Sequence, residues 1–481
     1  MAVSVQEGER MSREKEFVKN SAILSIGTIL PKLTSIITLP IVTEKLSNAE
    51  YGTFDLITIL VALFLPVATL QMQAAGFRYL VGVRGDKEEQ TSIISNITFF
   101  TVPICVAALV VLYFFMNSIS PMTRMLILSY FLVDTLLLTG RQIARGLAMN
   151  SVYSISALLN SILEMVLTAV LLLKFNMELD GVLIALLFSQ STSLIYLLLK
   201  TRMIQYMKFK AFSFKQIKSL ISYSWPMVPN SLSSWVMRVS DRLILWRFMG
   251  VEANSIYAVA NKLPNMFSIV QNTFSLAWQE NASLSVEDED SGEYYGKMFT
   301  NVFNILVGMM GLLIAFTPII FIILIRGDYG ESYNHMPILY IGVLFSAVSS
   351  YIGGVYVAHM KSKAIGITTM IAALMNFLIN IIFVHFIGIY AASISTAVSY
   401  LWLAFFRMRD IQKIQKIKFE YKKILVLTGI LIIMSAACFV RIIYIDIVNM
   451  VFSVAMAVYL NKNLIMPSIR KIKSKFKGKS K

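Results

Sequence analysis

The segment Ser21–Thr43, SAILSIGTILPKLTSIITLPIVT, is the first of many apolar runs that are long enough to cross a lipid bilayer. A membrane-crossing helix needs about 20 mostly apolar residues. The run exceeds the apolar core of a signal peptide and lacks a small-residue cleavage site, so we interpret it as a retained membrane helix. Near its middle stands Lys32, a cation that is costly in hydrocarbon and normally faces a polar cavity or a partner.

Comparable runs recur along the chain. Of its 481 residues, 57% are hydrophobic and only 15% are charged, and the mean hydropathy is +0.69. The runs are continuously apolar and do not alternate as barrel strands do. We therefore predict an all-α polytopic membrane protein of about fourteen transmembrane helices. They are placed at 20–44, 52–78, 91–116, 121–143, 151–174, 180–201, 218–243, 253–284, 297–325, 335–360, 364–388, 389–411, 422–440 and 443–462.

The polar residues between and within these helices exclude several classes of protein. The longest connector has about twenty residues, too few for a folded extramembrane domain. Cys105 and Cys438 lie in apolar runs and indicate neither a disulfide framework nor a metal site. No phosphate-binding loop of the Gly-x-x-x-x-Gly-Lys type is present, which argues against ATP hydrolysis within the chain.

The positive charges predict the orientation. Most of the 43 Lys and Arg residues fall in connectors that share one side of the membrane when the N-terminus is placed in the cytoplasm. The most basic are the connectors 200–218 and 407–423 and the tail 463–481. The positive-inside rule then predicts an even number of spans with both termini in the cytoplasm. We assign the tail to anionic membrane lipids and not to nucleic acid.

Two segments half a chain apart suggest an internal repeat. Leu46–Asp55 (LSNAEYGTFD) and Val251–Ala260 (VEANSIYAVA) are short polar stretches that lead to a tyrosine, and each follows a proline-containing helix. Paired, interrupted helices of this kind are typical of transporters built from repeats. We predict an N-terminal lobe over 1–205, a C-terminal lobe over 206–418, two additional helices over 419–462 and a basic cytoplasmic tail over 463–481.

Several stretches resemble one family of bacterial membrane proteins. Tyr223–Trp235 (YSWPMVPNSLSSW), with Ser240–Arg242 and Ser255–Pro264 (SIYAVANKLP), is similar to the middle of polysaccharide-export proteins. These are the oligosaccharide flippases of O-antigen, capsule, teichoic acid and exopolysaccharide pathways. Four other stretches are similar to the same family: Lys32–Pro40 (KLTSIITLP), Glu50–Gly52, Gly76–Arg78 and Phe274–Gln279 (FSLAWQ).

The resemblance implies a fold and a function. The fold is that of the multidrug/oligosaccharidyl-lipid/polysaccharide exporters, with two six-helix lobes around a central cavity. The function is the movement of polyprenyl-pyrophosphate-linked oligosaccharide repeat units from the cytoplasmic to the outer leaflet of the bacterial cytoplasmic membrane, without enzymatic chemistry. A polysaccharide polymerase and glycosyltransferases are possible partners, and the two extra C-terminal helices match related lipid II flippases.

A substrate of this class requires cations within the membrane. A pyrophosphate cannot enter hydrocarbon unless other groups replace its hydration, and Arg and Lys suit phosphate oxygens. Competing interpretations are a structural ion pair for Lys32, an Asp241–Arg242 pair, and a purely topological role for Arg78 and Arg141. The substrate-binding candidates are Lys32, Arg78, Arg141, Arg238, Arg242 and Lys262, with Trp278 as a residue that could stack on a sugar.

Two acids within apolar spans are candidates for ion coupling. Asp134 and Glu164 lie near the middle of their helices, where acids often belong to proton or sodium relays. The alternative is a salt bridge to Lys32 or to an arginine. We expect no bound cofactor or metal, and a Na⁺ gradient, an H⁺ gradient or the membrane potential as the source of energy.

Two other functions compete. A multidrug cation antiporter of the same fold needs an acidic or aromatic cavity, whereas the charges inside these spans are mostly basic. A membrane polysaccharide polymerase or ligase usually needs a large extracellular loop, and every outer loop here is short.

Overall fold

A computed structural model describes residues 31–115 and 120–462, and no strand occurs among them. The predicted all-α fold class is therefore confirmed. The chain forms two compact units, Met1–Val239 and Ser240–Lys481, each described by itself below. The predicted domain boundaries stay predictions.

Among the described residues, the first unit contains eight α-helices and the first part of a ninth. Residues 31–45 form the described part of α1. The others are α2 (Asn48–Thr69), α3 (Met72–Gly82), α4 (Lys87–Phe115), α5 (Pro121–Gly146), α6 (Asn150–Leu173), α7 (Glu178–Thr201), α8 (Phe214–Ser224) and α9 (Met227–Met249), the last of which continues into the second unit.

The second unit continues from the end of α9. Its helices are α10 (Val251–Ala260), α11 (Lys262–Leu284), α12 (Ser291–Leu324), α13 (Ser332–Ala358), α14 (Ser362–Ile387), α15 (Ile389–Asp410), α16 (Tyr421–Val440) and α17 (Ile443–Leu460).

Eleven of the described helices are long and apolar enough to cross a membrane. The predicted helix at 20–44 lies partly outside the described residues. The predicted spans at 218–243 and 253–284 are helical but too polar to count among the eleven, because α9 and α11 carry many Ser, Asn and charged residues. With these three segments, the architecture agrees with the predicted number of spans.

Three predicted helices are each divided. The segment predicted at 218–243 breaks between α8 and α9, at Trp225 and Pro226. The segment predicted at 52–78 breaks between α2 and α3, where Leu70 and Gln71 have φ values of 47° and 58°. The Thr69 hydroxyl accepts the Gln71 N–H at 3.2 Å and so satisfies a backbone donor at the break. The segment predicted at 253–284 is interrupted at Asn261. Pro264, which follows, has no N–H to donate to the preceding turn.

Local sequence signals start several helices. Ser47 caps α2 in a capping box, since its hydroxyl accepts the Glu50 N–H and the Glu50 carboxylate accepts the Ser47 N–H. Ser120 caps α5 just before Pro121, which favours the first turn of a helix. Ser213 caps the amphipathic α8. These caps satisfy N–H groups that have no partner within the helix.

In the first unit, α5 and α7 lie at the centre of the packing. Met72, Ile94, Leu137 and Leu197, from four helices, form one buried cluster. A second cluster contains Ile57, Phe131 and Leu183 among others. The two clusters hold α5 and α7 against α2, α3 and α4, and thereby fix the depth of the polar residues on these helices.

In the second unit, α13 is the most buried of the described candidate spans. The final two helices pack against α12 through glycines, which allow helices to approach closely in membranes. A Cβ atom built at Gly308 would lie 3.3 Å from the Ala457 Cα of α17. Asn449 joins α17 to α16, because its amide donates to the Met434 carbonyl at 3.1 Å.

Candidate functional site

Lys32 and Arg78, two of the predicted substrate-binding cations, have exposed side chains. Lys32 lies in α1 and Arg78 on α3. Near Lys32, the hydroxyls of Thr34 and Ser35 donate to the carbonyls of Pro31 and Lys32, each at 2.9 Å. These hydroxyls satisfy backbone carbonyls of α1 around the cation.

Arg141, the third predicted cation of the first unit, is held against α6. Its Nε donates to the Ser156 hydroxyl at 3.2 Å, and its Nη2 donates to the Ser156 carbonyl at 3.1 Å. Arg141 is therefore fixed within the bundle, whereas a purely topological arginine would extend into the cytoplasm.

The remaining predicted cations lie on α9 and α11. The Arg238 side chain lies outside the described part of the structure. Arg242 and Lys262 are partly buried, and each has a partner. The substrate-binding role of these three residues stays a prediction.

Asp241, which the sequence suggested as a partner of Arg242, is a buried junction of four helices. Its side chain is 5% exposed. Its Oδ2 accepts the Tyr257 hydroxyl of α10 at 2.9 Å and the Thr396 hydroxyl of α15 at 2.7 Å. Its Oδ1 accepts the Asn380 amide of α14 at 3.0 Å. These neutral donors stabilise the carboxylate and tie α9 to the rest of the second unit.

Asp134 of α5, predicted to couple an ion, is bound by α7. Its Oδ1 accepts the Gln190 amide at 3.0 Å. Glu164 of α6 is partly buried and has a partner. Asp134 and Glu164 lie on α5 and α6, the two helices that the hydrogen bonds between Arg141 and Ser156 join. Their role in coupling stays a prediction.

Trp278 lies in an aromatic core. Its side chain is 2% exposed, and its ring stacks on Tyr351 with the centroids 4.2 Å apart. Its Nε1 donates to the Tyr351 carbonyl at 2.8 Å. Gly354 makes room for the indole, because a Cβ atom there would lie 2.5 Å from the Trp278 Cδ1. In this conformation the ring packs within the protein and offers almost no surface to a sugar.

Sequence reasoning missed the polar partners of Asp241 and Asp134. Tyr257, Asn380 and Thr396 surround Asp241, and Gln190 binds Asp134. A signal was present: Asn376 and Asn380 stand four residues apart in an otherwise apolar span, which places them on one face of a helix. The identity of their partners required the tertiary structure.

The chain is similar in fold to solved transporters. Over 93% of its length it superposes on all of the lipid II flippase MurJ in an inward closed conformation, with a TM-score of 0.69 and 15% identity. A multidrug resistance MATE transporter in an outward-facing conformation is similar with a TM-score of 0.57 and 15% identity. The match covers 82% of this chain and 95% of the MATE transporter. A mutant of the MATE transporter VcmN of Vibrio cholerae is also similar, with a TM-score of 0.55 and 12% identity. The match covers 84% of this chain and 97% of VcmN.

At these identities the likeness establishes the exporter fold. The matched proteins are flippases and transporters, in agreement with the prediction that the chain is not an enzyme. No curated protein sequence matches the chain. The profile of the family described as polysaccharide biosynthesis protein matches residues 17–278, more than half of the chain. The protein therefore belongs to the polysaccharide biosynthesis protein family, as the resemblance in its sequence predicted.

Proposed function

We propose that this protein is a flippase that moves polyprenyl-pyrophosphate-linked oligosaccharide repeat units from the cytoplasmic to the outer leaflet by alternating access. The observation that carries the proposal is the family match to polysaccharide biosynthesis proteins, combined with a fold that covers the whole of a lipid II flippase. Membership of that family favours a glycan substrate, and the flippase fold favours one that is attached to a lipid.

The charges favour an anionic headgroup. Moving a pyrophosphate out of water requires groups that replace its hydration, while the polyprenyl chain can remain in lipid. Lys32 and Arg78 are exposed, and Arg141 is held at a fixed position in the bundle. We assign phosphate contact to these residues together with Arg238, Arg242 and Lys262, and we retain Trp278 as a candidate for sugar contact in another conformation.

The same proposal places the protein in the bacterial cytoplasmic membrane with both termini in the cytoplasm. The distribution of Lys and Arg between connectors supports this orientation. Repeat units delivered to the outer leaflet would supply a polymerase, and glycosyltransferases would assemble them on the cytoplasmic side.

The test is a leaflet assay in proteoliposomes that contain the purified chain and a fluorescent polyprenyl-pyrophosphate oligosaccharide. A membrane-impermeant quencher or glycosidase reports the fraction in each leaflet. We expect the protein to accelerate exchange of the pyrophosphate-linked lipid but not of a neutral polyprenyl glycoside. Lys32→Ala and Arg238→Ala should each reduce exchange at least tenfold without loss of folded protein.

Lys297→Ala provides a matched control, because Lys297 is exposed and pairs with Glu293 at 2.7 Å. Its exchange rate should be unchanged. Equal rates for the charged and neutral lipids, or full activity in both charge-removing variants, would contradict the assigned roles. Transport of a cationic dye in place of the glycolipid would instead identify the multidrug function that the MATE-like fold leaves as the second candidate.

A further inference from the structure

A cavity of about 300 Å³ lies at one end of the second unit, beside the turn that joins α16 to α17. Its walls are the last turns of α12, the first turn of α13 and the two sides of that turn. The lining residues include Pro318, Phe321, Ile322, Tyr333, Arg441 and Asp446. All four helices reach the cavity by an end, so the cavity lies where apolar spans meet water.

The end of α16 is attached to α12 one turn deeper than the cavity. Pro318 has no N–H, so it leaves the Ile314 carbonyl without the donor that position 318 ordinarily supplies in a helix. The Cys438 thiol of α16 donates to that carbonyl at 3.4 Å. The turn after α16 is therefore positioned by a specific contact with α12, and the cavity beside it is a defined part of the fold.

Arg441 contributes a positive charge to the cavity. Its Nη2 donates to the Asn334 side-chain oxygen at 2.9 Å, and its Cζ lies 5.2 Å from the centre of the Tyr333 ring. These contacts orient the guanidinium, but neither partner carries a negative charge. The side chain is exposed, and a guanidinium has five N–H donors, so several stay available to a ligand. Phosphate oxygens suit this planar set of donors.

Asp446 contributes a buried acceptor. It lies five residues after Arg441, in the first turn of α17, and it is 9% exposed. Its Oδ1 is buried and has no hydrogen-bond partner among the described residues. Arg441, the neighbouring cation, donates to Asn334 and not to this oxygen. Buried polar atoms nearly always have a partner, so this oxygen indicates a ligand that brings its own donor.

The remaining walls define the rest of the ligand. Phe321 and Ile322 form the α12 side of the cavity, and Ile322 is 75% exposed on the surface of a candidate membrane span. A ligand therefore meets a cation, a buried anion and an apolar surface for a hydrocarbon chain. A lipid headgroup with one phosphate and one primary ammonium matches all three. Its phosphate suits Arg441, its N–H groups suit the Asp446 carboxylate, and its opposite charges balance the pair.

We propose that Arg441 and Asp446 bind the headgroup of a phospholipid of the phosphatidylethanolamine class, with an acyl chain lying on Ile322. In the predicted orientation this end of the unit faces the outer leaflet. The bound lipid would contact α12, α13 and the turn between α16 and α17, and would thereby stabilise the packing of the last two helices. The site is separate from the glycolipid that the flippase is proposed to carry, and its test contains no glycolipid.

The experiment counts lipids bound to the delipidated full-length protein by native mass spectrometry. Dioleoyl phosphatidylethanolamine, phosphatidylcholine and phosphatidylglycerol are added singly at matched concentrations, so that only the headgroup differs. We expect one phosphatidylethanolamine to bind at least tenfold more tightly than either other lipid, because choline has no N–H and phosphatidylglycerol has no cation for Asp446. An equal concentration of free phosphoethanolamine should not displace the lipid, since it lacks the acyl chain.

Two variants separate the two halves of the headgroup. Asp446→Asn removes a charge with little change of shape, and it should abolish the preference for phosphatidylethanolamine over phosphatidylcholine. Arg441→Gln should weaken the binding of all three lipids, since each carries a phosphate. Arg409→Gln is the matched control, because it removes an exposed arginine from the last turn of α15, at the other end of the unit. Its lipid preference should equal that of the wild type.

Equal binding of the three lipids, tighter binding of phosphatidylglycerol, or an undiminished preference in Asp446→Asn would each overturn the site. Displacement by free phosphoethanolamine would overturn the assignment to a lipid. Should Asp446→Asn fold poorly, N-methylated phosphatidylethanolamines test the same contact on the wild-type protein. Binding should fall as methyl groups replace the N–H donors and be weakest for phosphatidylcholine, whereas constant binding along the series would reject the contact with Asp446.

Discussion

At the scale of the residue, buried polar side chains carry most of the information about this protein. Asp241 binds donors from three other helices, and Asp134 binds a donor from α7. Inside a membrane protein such bonds are retained because few alternative partners exist. Each aspartate therefore specifies which helices pack together, whatever further role it has in transport.

Asp241→Ala should destabilise the protein. The substitution leaves the Tyr257 hydroxyl, the Asn380 amide and the Thr396 hydroxyl without their acceptor, at a cost of at least about 2 kcal/mol. Thermal unfolding in detergent, followed by size-exclusion chromatography, measures the loss. Glu287→Ala in the exposed α11–α12 connector serves as the control and should unfold like the wild type. Equal stability of the two variants would contradict the role of Asp241 as a junction.

Trp278 allows a packing role to be separated from substrate contact. Trp278→Ala should cost about 3–5 kcal/mol through loss of a large buried side chain. Trp278→Phe keeps part of the stacking on Tyr351 but loses the hydrogen bond to its carbonyl. We expect this variant to be moderately destabilised and, if the indole contacts the sugar in another conformation as proposed, to move substrate more slowly per folded molecule. The wild-type rate in a well-folded Trp278→Phe protein would contradict sugar contact and leave Trp278 a packing role alone.

At the scale of the element, glycines decide how closely α12 and α17 approach. A side chain at Gly308 would meet the Ala457 backbone of α17, whereas nothing lies within 4 Å of the Cβ position at Gly429 in α16. Both glycines are in helix interiors, where glycine is intrinsically unfavourable. The difference between them is therefore a difference of packing alone.

Gly308→Leu and Gly429→Leu form a matched pair. The first should separate α17 from α12, lower the melting temperature by several degrees and expose the end of α17 to protease. The second should leave the melting temperature within about one degree or raise it, since leucine favours helix. Similar behaviour of the two variants would show that α17 does not depend on the close approach at Gly308.

At the scale of the whole molecule, the orientation across the membrane is accessible to labelling. In a variant that lacks Cys105 and Cys438, both of which are buried, single cysteines report the side on which they lie. Lys210→Cys in the connector after α7 should react with a membrane-impermeant maleimide only from the cytoplasm. Lys174→Cys, exposed between α6 and α7, should react only from outside. Labelling of both from one face would refute the predicted orientation.

The sequence by itself determined the membrane class, the approximate positions of the spans and the family. Long apolar runs leave few alternatives, since every backbone polar group in lipid must be bonded within a helix or a closed barrel. The motif around Tyr223–Trp235 pointed to the family that the profile match then showed.

The tertiary structure alone decided where helices break and which polar residues meet. The helix breaks at Leu70 and Gln71 because both residues have left-handed backbone conformations. Neither residue is a glycine or a proline, so their identity did not predict the break. Asp134 and Gln190 are separated by 56 positions, and Asp241 and Thr396 by 155. Their bonds exist because packing brings distant turns to the same depth. Sequence spacing describes one helix at a time, whereas a binding site forms only where several helices meet.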